Sequence, residues 1–376
     1  MDANAKAGLP ERIVGALASS SGLLSAAVVL LGFLAATVLI LLTGRNPGNM
    51  YSAIIQVVSG WDLSRGVHNS YYVGQWLVSS IPLILCGFSM AFASRTGLFN
   101  IGAEGQYVAG LTAAQFAALY GPPIPVLHWV LAVSAGMLAG AAWGGIAGFL
   151  KARFNVSEVV ATIMMNYIAL YASRYLTLRI PGTKTYQTPL FPVTARITSP
   201  FLSAITNKSE LHYGVYFTLA AVLFYWIVME KTRLGYSLRA AGFNKDAARY
   251  GGINVNGVIT IGMAISGAFA GLAGASVSLG VFSAGRVLSA QDGYGFDGIA
   301  VALVGNSRSL GVALSGLLFG MLKSAQPLMQ SRRIPKEITS IILGMVVVFI
   351  SLRAGIKLIM DWQLKEKTRK GRPAHD

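Results

Sequence analysis

Ten runs of predominantly apolar residues, most of them close to twenty long, follow one another along this chain with almost no charge inside them. They fall near 22–43, 73–93, 99–120, 126–150, 157–178, 212–229, 255–281, 296–306, 310–328 and 338–352. About 20 apolar residues is the length an α-helix needs to cross a hydrocarbon layer about 30 Å thick. Such a layer admits only structures whose backbone groups are bonded internally, which means helices or closed barrels. The pattern therefore predicts an all-α polytopic membrane protein with about ten transmembrane helices in one domain over 22–352. Composition agrees, with 12% charged and 54% hydrophobic residues and a mean hydropathy of +0.59. The eighth run is too short to cross as a straight helix. It is expected to begin or end inside protein, where irregular backbone can be covered.

Lys and Arg set the orientation, because positive residues collect on the cytoplasmic side. Of the 30 Lys and Arg, the larger share falls in segments that are cytoplasmic when both termini are inside. Arg332, Arg333 and Lys336 run against the trend. The first 21 residues form a cytoplasmic N-terminal segment with Pro10 and Glu11 and no cleavage site after an apolar core, so the first span is expected to be retained. Residues 353–376 form a basic cytoplasmic tail that suits contact with water, anionic lipid or a protein partner. The outer loop 180–211 carries Pro181, Pro189, Pro192 and Pro200, which argue against a long helix, and its 183–188 stretch is polar enough to meet a protein. The net charge of +16 is accounted for by membrane orientation, so no nucleic-acid partner is implied. The single cysteine, Cys86, excludes an internal disulfide.

One cytoplasmic segment is unlike the rest. Residues 231–256 read KTRLGYSLRAAGFNKDAARYGGINVN, with five Lys/Arg against one acid, Asp246. Asn244 suits an N-cap, Lys245 to Tyr250 favour helix, and the Gly251-Gly252 pair is a stop, which predicts a helix of about two turns. A short helix held between two spans has the form of a docking element. Ala247 and Ala248 would allow close approach of another surface, with Arg239, Lys245 and Arg249 offering charge-assisted contacts at its edges.

Two further polar runs interrupt apolar surroundings. Residues 94–106, SRTGLFNIGAEGQ, combine three glycines with Asn100, Glu104 and Gln106, and predict an interrupted helix between the second and third spans. Their polar groups either line a passage or serve the helix, with Asn100 as the cap of span three and Glu104 near its positive end. Residues 291–300, QDGYGFDGIA, precede the short eighth span. Here Asp297 suits an N-cap, while Tyr294 and Phe296 suit either an interface or a passage. Glycines spaced by four, as in Gly136, Gly140, Gly144 and Gly148 or Gly267 and Gly271, allow helices to pack backbone to backbone. The hairpin beginning at Lys151 parallels the one beginning at Gln330. The first turns inside and the second outside, so the two halves form inverted repeats, a recurrent transporter architecture.

The pattern GxxLRAAGxNxxAAxxxGI resembles the coupling segment in permease subunits of bacterial ABC importers. The resembling group handles ribose-type sugars, branched-chain amino acids and nucleosides, and GLFNIGAEGQ is similar to its nucleoside branch. The resemblance implies a fold like that of type II ABC importer permeases in the bacterial inner membrane. It also implies that ATPase subunits engage Arg239, Gly242, Asn244, Ala247, Ala248, Arg249 and Gly251. Further implied partners are a second, related permease chain and a periplasmic or lipid-anchored substrate-binding protein docking on the outer side. No cofactor is expected on this chain, with ATP and Mg held by the ATPase subunits. Nucleosides are the implied cargo, with riboflavin or simple sugars as alternatives.

Candidate route residues are Trp76, Phe99, Asn100, Glu104, Gln106, Tyr107, Asn166, Tyr167, Tyr294, Phe296 and Asp297, with Tyr171 beside them. A flat base could stack on such rings while amides bond its edge. The interfacial aromatic belt is the competing explanation for each ring. The chain lacks GxxxxGK[ST], so it is not itself a P-loop ATPase. Its histidines, His68, His128, His212 and His375, are dispersed and suggest no metal centre, and no catalytic residue set is recognisable. An ion-coupled secondary transporter is the rival class, disfavoured by the scarcity of carboxylates at depth.

Overall fold

The computed structural model describes residues 21–351. The N-terminal segment up to residue 20 and the basic tail 353–376 lie outside the described residues. Each of the ten apolar runs lies on a helix: α1 (Ser21–Leu42), α3 (Tyr71–Arg95), α4 (Ala103–Tyr120), α5 (Leu127–Phe154), α6 (Glu158–Leu178), α8 (Gly214–Lys231), α11 (Val255–Gly280), α12 (Tyr294–Val304), α13 (Ser309–Ser331) and α14 (Lys336–Ser351). Among the described residues, five of these helices are both long and apolar enough to cross a membrane: α3, α5, α8, α11 and α13. Helices α4 and α6 fall short of that standard, since Glu104, Gln106 and Gln115 dilute the first and Glu158, Asn166 and Arg174 the second. The eighth run is short in the structure too, an 11-residue helix.

Four helices lie outside the apolar runs: α2 (Gly48–Ser59), α7 (Pro200–Ile205), α9 (Arg233–Phe243) and α10 (Lys245–Tyr250). Only α10 is expected from the sequence. Local chemistry accounts for α2 and α9. Asn46 Oδ1 accepts from the amide of Gly48 at 2.8 Å, and Thr232 Oγ1 accepts from that of Gly235 at 3.1 Å, each satisfying a donor at or near a helix start. Two small antiparallel pairs, β1 (Trp61–Asp62) with β2 (Val67–His68) and β3 (Gln187–Leu190) with β4 (Ala284–Arg286), and a 3-10 turn at Val193–Ala195 are the other elements among the described residues.

The chain divides into two units. In the smaller one, which runs up to Tyr51 and resumes at Gln326, α1 packs on α14 and Asn49 Nδ2 donates to the Arg332 carbonyl at 3.2 Å. The larger unit, Ser52–Ala325, is built around α11, which lies along α5 and also contacts α4 and α3. Small residues make that centre possible. A Cβ at Gly140 would sit 2.3 Å from the Gly267 carbonyl oxygen, and one at Gly271 would sit 2.4 Å from that of Gly136. The glycine spacing thus serves close helix packing, which matters where lipid supplies no hydrophobic force between helices. Gly140→Ala is expected to lower stability by about 1–3 kcal/mol through overpacking. Thermal unfolding of the purified protein would show this as a reduced melting temperature, whereas an unchanged value would mean that α5 and α11 part easily.

Part of the segment 180–211 is folded onto the helices. Phe191, Ala195 and Ile197 are buried in a cluster with Ala114, Ala118, Ala132 and Leu279. The Ile197 amide donates to the Leu279 carbonyl at 3.1 Å, and Thr188 Oγ1 accepts from the Gly285 amide at 2.8 Å. Thr188, expected to be available to a partner, is therefore turned inward. Tyr186, Leu190, Val193 and Phe201 are exposed on the same segment.

Candidate functional site

The short helix predicted over Lys245 to Tyr250 forms as expected. Asn244 Oδ1 accepts from the amides of Asp246 and Ala247, both at 3.0 Å, and the chain leaves the helix through Gly251 and then Gly252 at φ 82°. Its surface differs from the expectation in three places. Ala248 is buried against its own chain, so it is not part of an outward face. Gly242 is a close-approach position, because a Cβ there would lie 2.4 Å from the Arg95 carbonyl oxygen. Arg239 is committed internally: its NH1 donates to Glu230 Oε2 at 2.9 Å, while Arg95 bonds the other oxygen of the same carboxylate. Ala247, Arg249 and Gly251 remain outward. The sequence reading missed the largest outward groups, Phe243 and Tyr250, which are 90% and 94% exposed at the two ends of the helix. Their position immediately beside the cap and the stop was the available signal.

The glycine pair Gly97 and Gly242 joins this segment to the interrupted helix. Gly97 adopts φ 76°, and a Cβ on it would meet the Gly242 Cα at 2.9 Å. Beyond Gly97 the polar residues Asn100, Glu104 and Gln106 are buried, and Asn100 and Gln106 are bonded to each other. Asn100 Nδ2 donates to Gln106 Oε1 at 2.8 Å and to Ser266 Oγ at 2.7 Å, and Ser266 Oγ donates to the Ser89 carbonyl at 2.7 Å. Asn100 therefore does not cap α4. Gly102 holds that position, and Asn100 instead ties α3, α4 and α11 together. Asn166 closes the break from α6, accepting from the Gly105 amide at 2.8 Å and donating to the Ile101 carbonyl at 3.1 Å.

Glu104 performs the most consequential bonding. It is fully buried, and its two oxygens accept from the amides of Gly293 and Gly295 at 2.8 and 2.7 Å. Those amides belong to the start of α12, so Glu104 caps a neighbouring helix and not its own. A carboxylate is favoured there by the orphan N–H groups and the positive end of the helix. Asp297 is correspondingly not the N-cap of α12. It lies in the first turn and accepts from Lys323 Nζ at 2.8 Å.

Beside this junction is a cavity of about 280 Å³ lined by Gln75, Ser79, Arg286, Asp292, Tyr294 and Lys323, among others. Arg286 donates to both oxygens of Asp292, at 2.6 and 2.8 Å, and Tyr107 donates its hydroxyl to the same carboxylate at 2.9 Å. Burial works against the charge of Arg286, but its hydrogen bonds to Asp292 and the field of that carboxylate outweigh it and hold the guanidinium above its ordinary pKa. Lys323 Nζ lies 4.1 Å from the centre of the Tyr294 ring, and Arg286 lies 4.7 Å from that of Phe282.

Of the candidate route residues, only Tyr294 lines this cavity, with Tyr107 and Asp297 one bond behind it. Trp76 donates Nε1 to the Leu317 carbonyl at 2.7 Å, and Phe99, Tyr167, Tyr171 and Phe296 are exposed elsewhere. Arg286, Asp292 and Lys323 were missed as cavity residues. Lys323, a charge inside an apolar run, was the one visible signal.

A bundle of apolar helices around a small-residue core, with a charged cavity and a capped short helix at its surface, has the make-up of a multi-pass membrane protein. The chain belongs to the family described as branched-chain amino acid transport system / permease component, which it matches over residues 72–351. It is 40% identical to the guanosine ABC transporter permease protein NupP of Bacillus subtilis over 342 residues, covering 90% of this chain and 95% of that protein. It is 33% identical to the nucleoside ABC transporter permease protein NupB of Lactococcus lactis, covering 88% and 91%. It is also 33% identical to the glucose ABC transporter permease protein TsgB13 of Haloferax volcanii, covering 73% and 74%. The Bacillus and Lactococcus strains each hold a second permease protein that also matches, at 30% and 28% identity. No solved structure matches the chain.

Proposed function

We propose that this chain is a permease subunit of an ABC importer that carries nucleosides inward, driven by ATP hydrolysed on separate ATPase subunits. The observation that carries the reading is its similarity, over nearly the whole chain, to permease proteins named for guanosine and nucleosides. The cavity suits such cargo, since it sets an aromatic residue, Tyr294, among polar groups that can bond the edge of a base. Simple sugars are the second reading, favoured by the glucose relative. In this proposal the protein sits in the bacterial inner membrane with both termini cytoplasmic, holds no cofactor of its own, and leaves ATP and Mg to the ATPases.

The proposed partners each have a supporting surface. The helix over Lys245–Tyr250 with Phe243 and Tyr250 would seat in an ATPase groove. Exposed Tyr186, Leu190, Val193 and Phe201 on the outer segment would meet a substrate-binding protein. A second permease chain, related but different, is supported by the paired relatives in each organism. Ten spans in two inverted repeats fit the ten helices, and both hairpins of the repeat turn through a left-handed residue, Asn155 at φ 51° and Arg333 at φ 66°. Movement at the docking helix would pass through the Gly242–Gly97 contact to the interrupted helix, and through Glu104 to α12 and the cavity.

The test is ATPase activity of the chain reconstituted with its genomic-neighbour permease, ATPase and binding protein. Stimulation by guanosine or adenosine, with little by riboflavin, ribose or glucose, is the expected result. Stimulation by glucose alone would overturn the cargo, and uptake without any ATPase would overturn the class.

A further inference from the structure

Resting on the nucleoside reading, we infer that the cavity beside α12 discriminates against phosphorylated solutes, and that Asp292 is the residue responsible. Two cations line the cavity, Arg286 and Lys323. Arg286 spends two donors on Asp292, at 2.6 and 2.8 Å, and Lys323 donates to Asp297 at 2.8 Å. Glu210 contributes a further carboxylate to the lining. The local set is thus two cations against three carboxylates, with both cations ion-paired.

A phosphate entering this space would surrender its hydration and meet a surface whose positive groups are already bonded. Removing an anion from water without pairing it costs several kcal/mol. An uncharged nucleoside escapes that cost. It meets the edge of Tyr294 and the neutral polar residues Gln75 and Ser79, which also line the cavity, without having to shed a charge. The ion pairs therefore act as a filter that a purely apolar wall would not provide, since they keep the cavity polar while withholding net positive charge. Asp292 holds the more effective phosphate ligand in check, because a guanidinium can grip phosphate through two parallel N–H bonds. Tyr107 donates to the same carboxylate and helps fix it.

The experiment is equilibrium binding of tritiated guanosine to the assembled permease–ATPase complex in detergent, without the binding protein, with guanosine 5′-monophosphate as competitor. The wild-type complex is expected to prefer guanosine by at least about tenfold, the discrimination that loss of one charge-assisted contact typically produces. Asp292→Asn is expected to erase or reverse that preference by releasing Arg286. The double change Arg286→Gln with Asp292→Asn removes both charges and should restore it. Should Asp292→Asn fail to assemble, Asp297→Asn, which releases Lys323, should shift the preference in the same direction. Equal competition by the monophosphate at the wild-type cavity, or an unaltered preference in the assembled variants, would overturn the inference while leaving nucleoside transport standing. Absence of guanosine binding in a complex that transports glucose would instead overturn the cargo reading and the inference with it.

Discussion

Replacing Phe243 and Tyr250 together with glutamate is expected to reduce recovery of the ATPase with this subunit by about a hundredfold or more, while the subunit itself still folds. At 90% and 94% exposure these side chains contribute almost nothing to packing within the chain. Fully burying an aromatic or large aliphatic side chain contributes about 1.5–3 kcal/mol. Two such groups seated in a groove would therefore account for about 3–6 kcal/mol, or two to four orders of magnitude in affinity. Glutamate removes that gain and adds the cost of desolvating a carboxylate. The readout is co-purification of the ATPase together with nucleoside-stimulated hydrolysis. Normal recovery of the ATPase by a correctly folded double variant would show that this helix is not the docking element.

The choice of those two positions depends on the structure. A bulky charged group at Gly242 or Ala248 would also be expected to lower recovery of the ATPase, but for an uninformative reason. Gly242 lies against the Arg95–Gly97 backbone and Ala248 is buried, so both changes would disturb the chain's own packing. The ends of α10 were legible because a cap and a stop act within three or four residues, and Asn244 and Gly251 carry their signal locally. Which face of that helix looks inward depends on contacts with α9 and α11, which no local pattern encodes.

The same distinction runs through the rest of the molecule. The ten apolar runs became ten helices, because length and burial of apolar surface are properties of a segment. The glycine spacing on α5 and α11 was readable as a packing face. It did not reveal that the two faces meet each other. Asn100 and Asp297 are ordinary capping residues by type and sit near helix starts, yet each is taken by a distant partner: Ser266 in the first case and Lys323 in the second. Tertiary bonding overrides local preference wherever a buried polar group can find a better partner across the fold. The cavity was hidden for the same reason, since Arg286 and Asp292 lie in a connection and Lys323 lies in an apolar run. The two-residue strands β1 and β2 are too short to carry a periodic signal, and the pairing of β3 with β4 joins segments far apart in the chain.

Glu104→Ala should be the most damaging single substitution in the larger unit. The carboxylate is fully buried and bonds two amides, of Gly293 and Gly295, that lie 189 and 191 residues away. Hydrogen bonds to charged groups contribute about 1.5–3 kcal/mol each, and an amide left buried without an acceptor adds its own desolvation penalty. Loss of both bonds therefore costs about 3–6 kcal/mol, a large fraction of the roughly 5–15 kcal/mol by which folded domains are stable. Space aggravates the effect, because the start of α12 is packed directly on Glu104. A Cβ at Gly295 would lie 2.2 Å from the Glu104 amide nitrogen, so the junction cannot open to admit another partner without moving α12. Glu104→Gln keeps one acceptor oxygen but turns an NH₂ group toward the second amide, so its loss should be intermediate. Melting temperatures in detergent should fall in the order wild type, Gln, Ala, and nucleoside uptake should fall with them, since α12 carries Tyr294 into the cavity wall. An Ala variant that melts like the wild type would mean that the start of α12 is held by packing alone, and that Glu104 is available for another role.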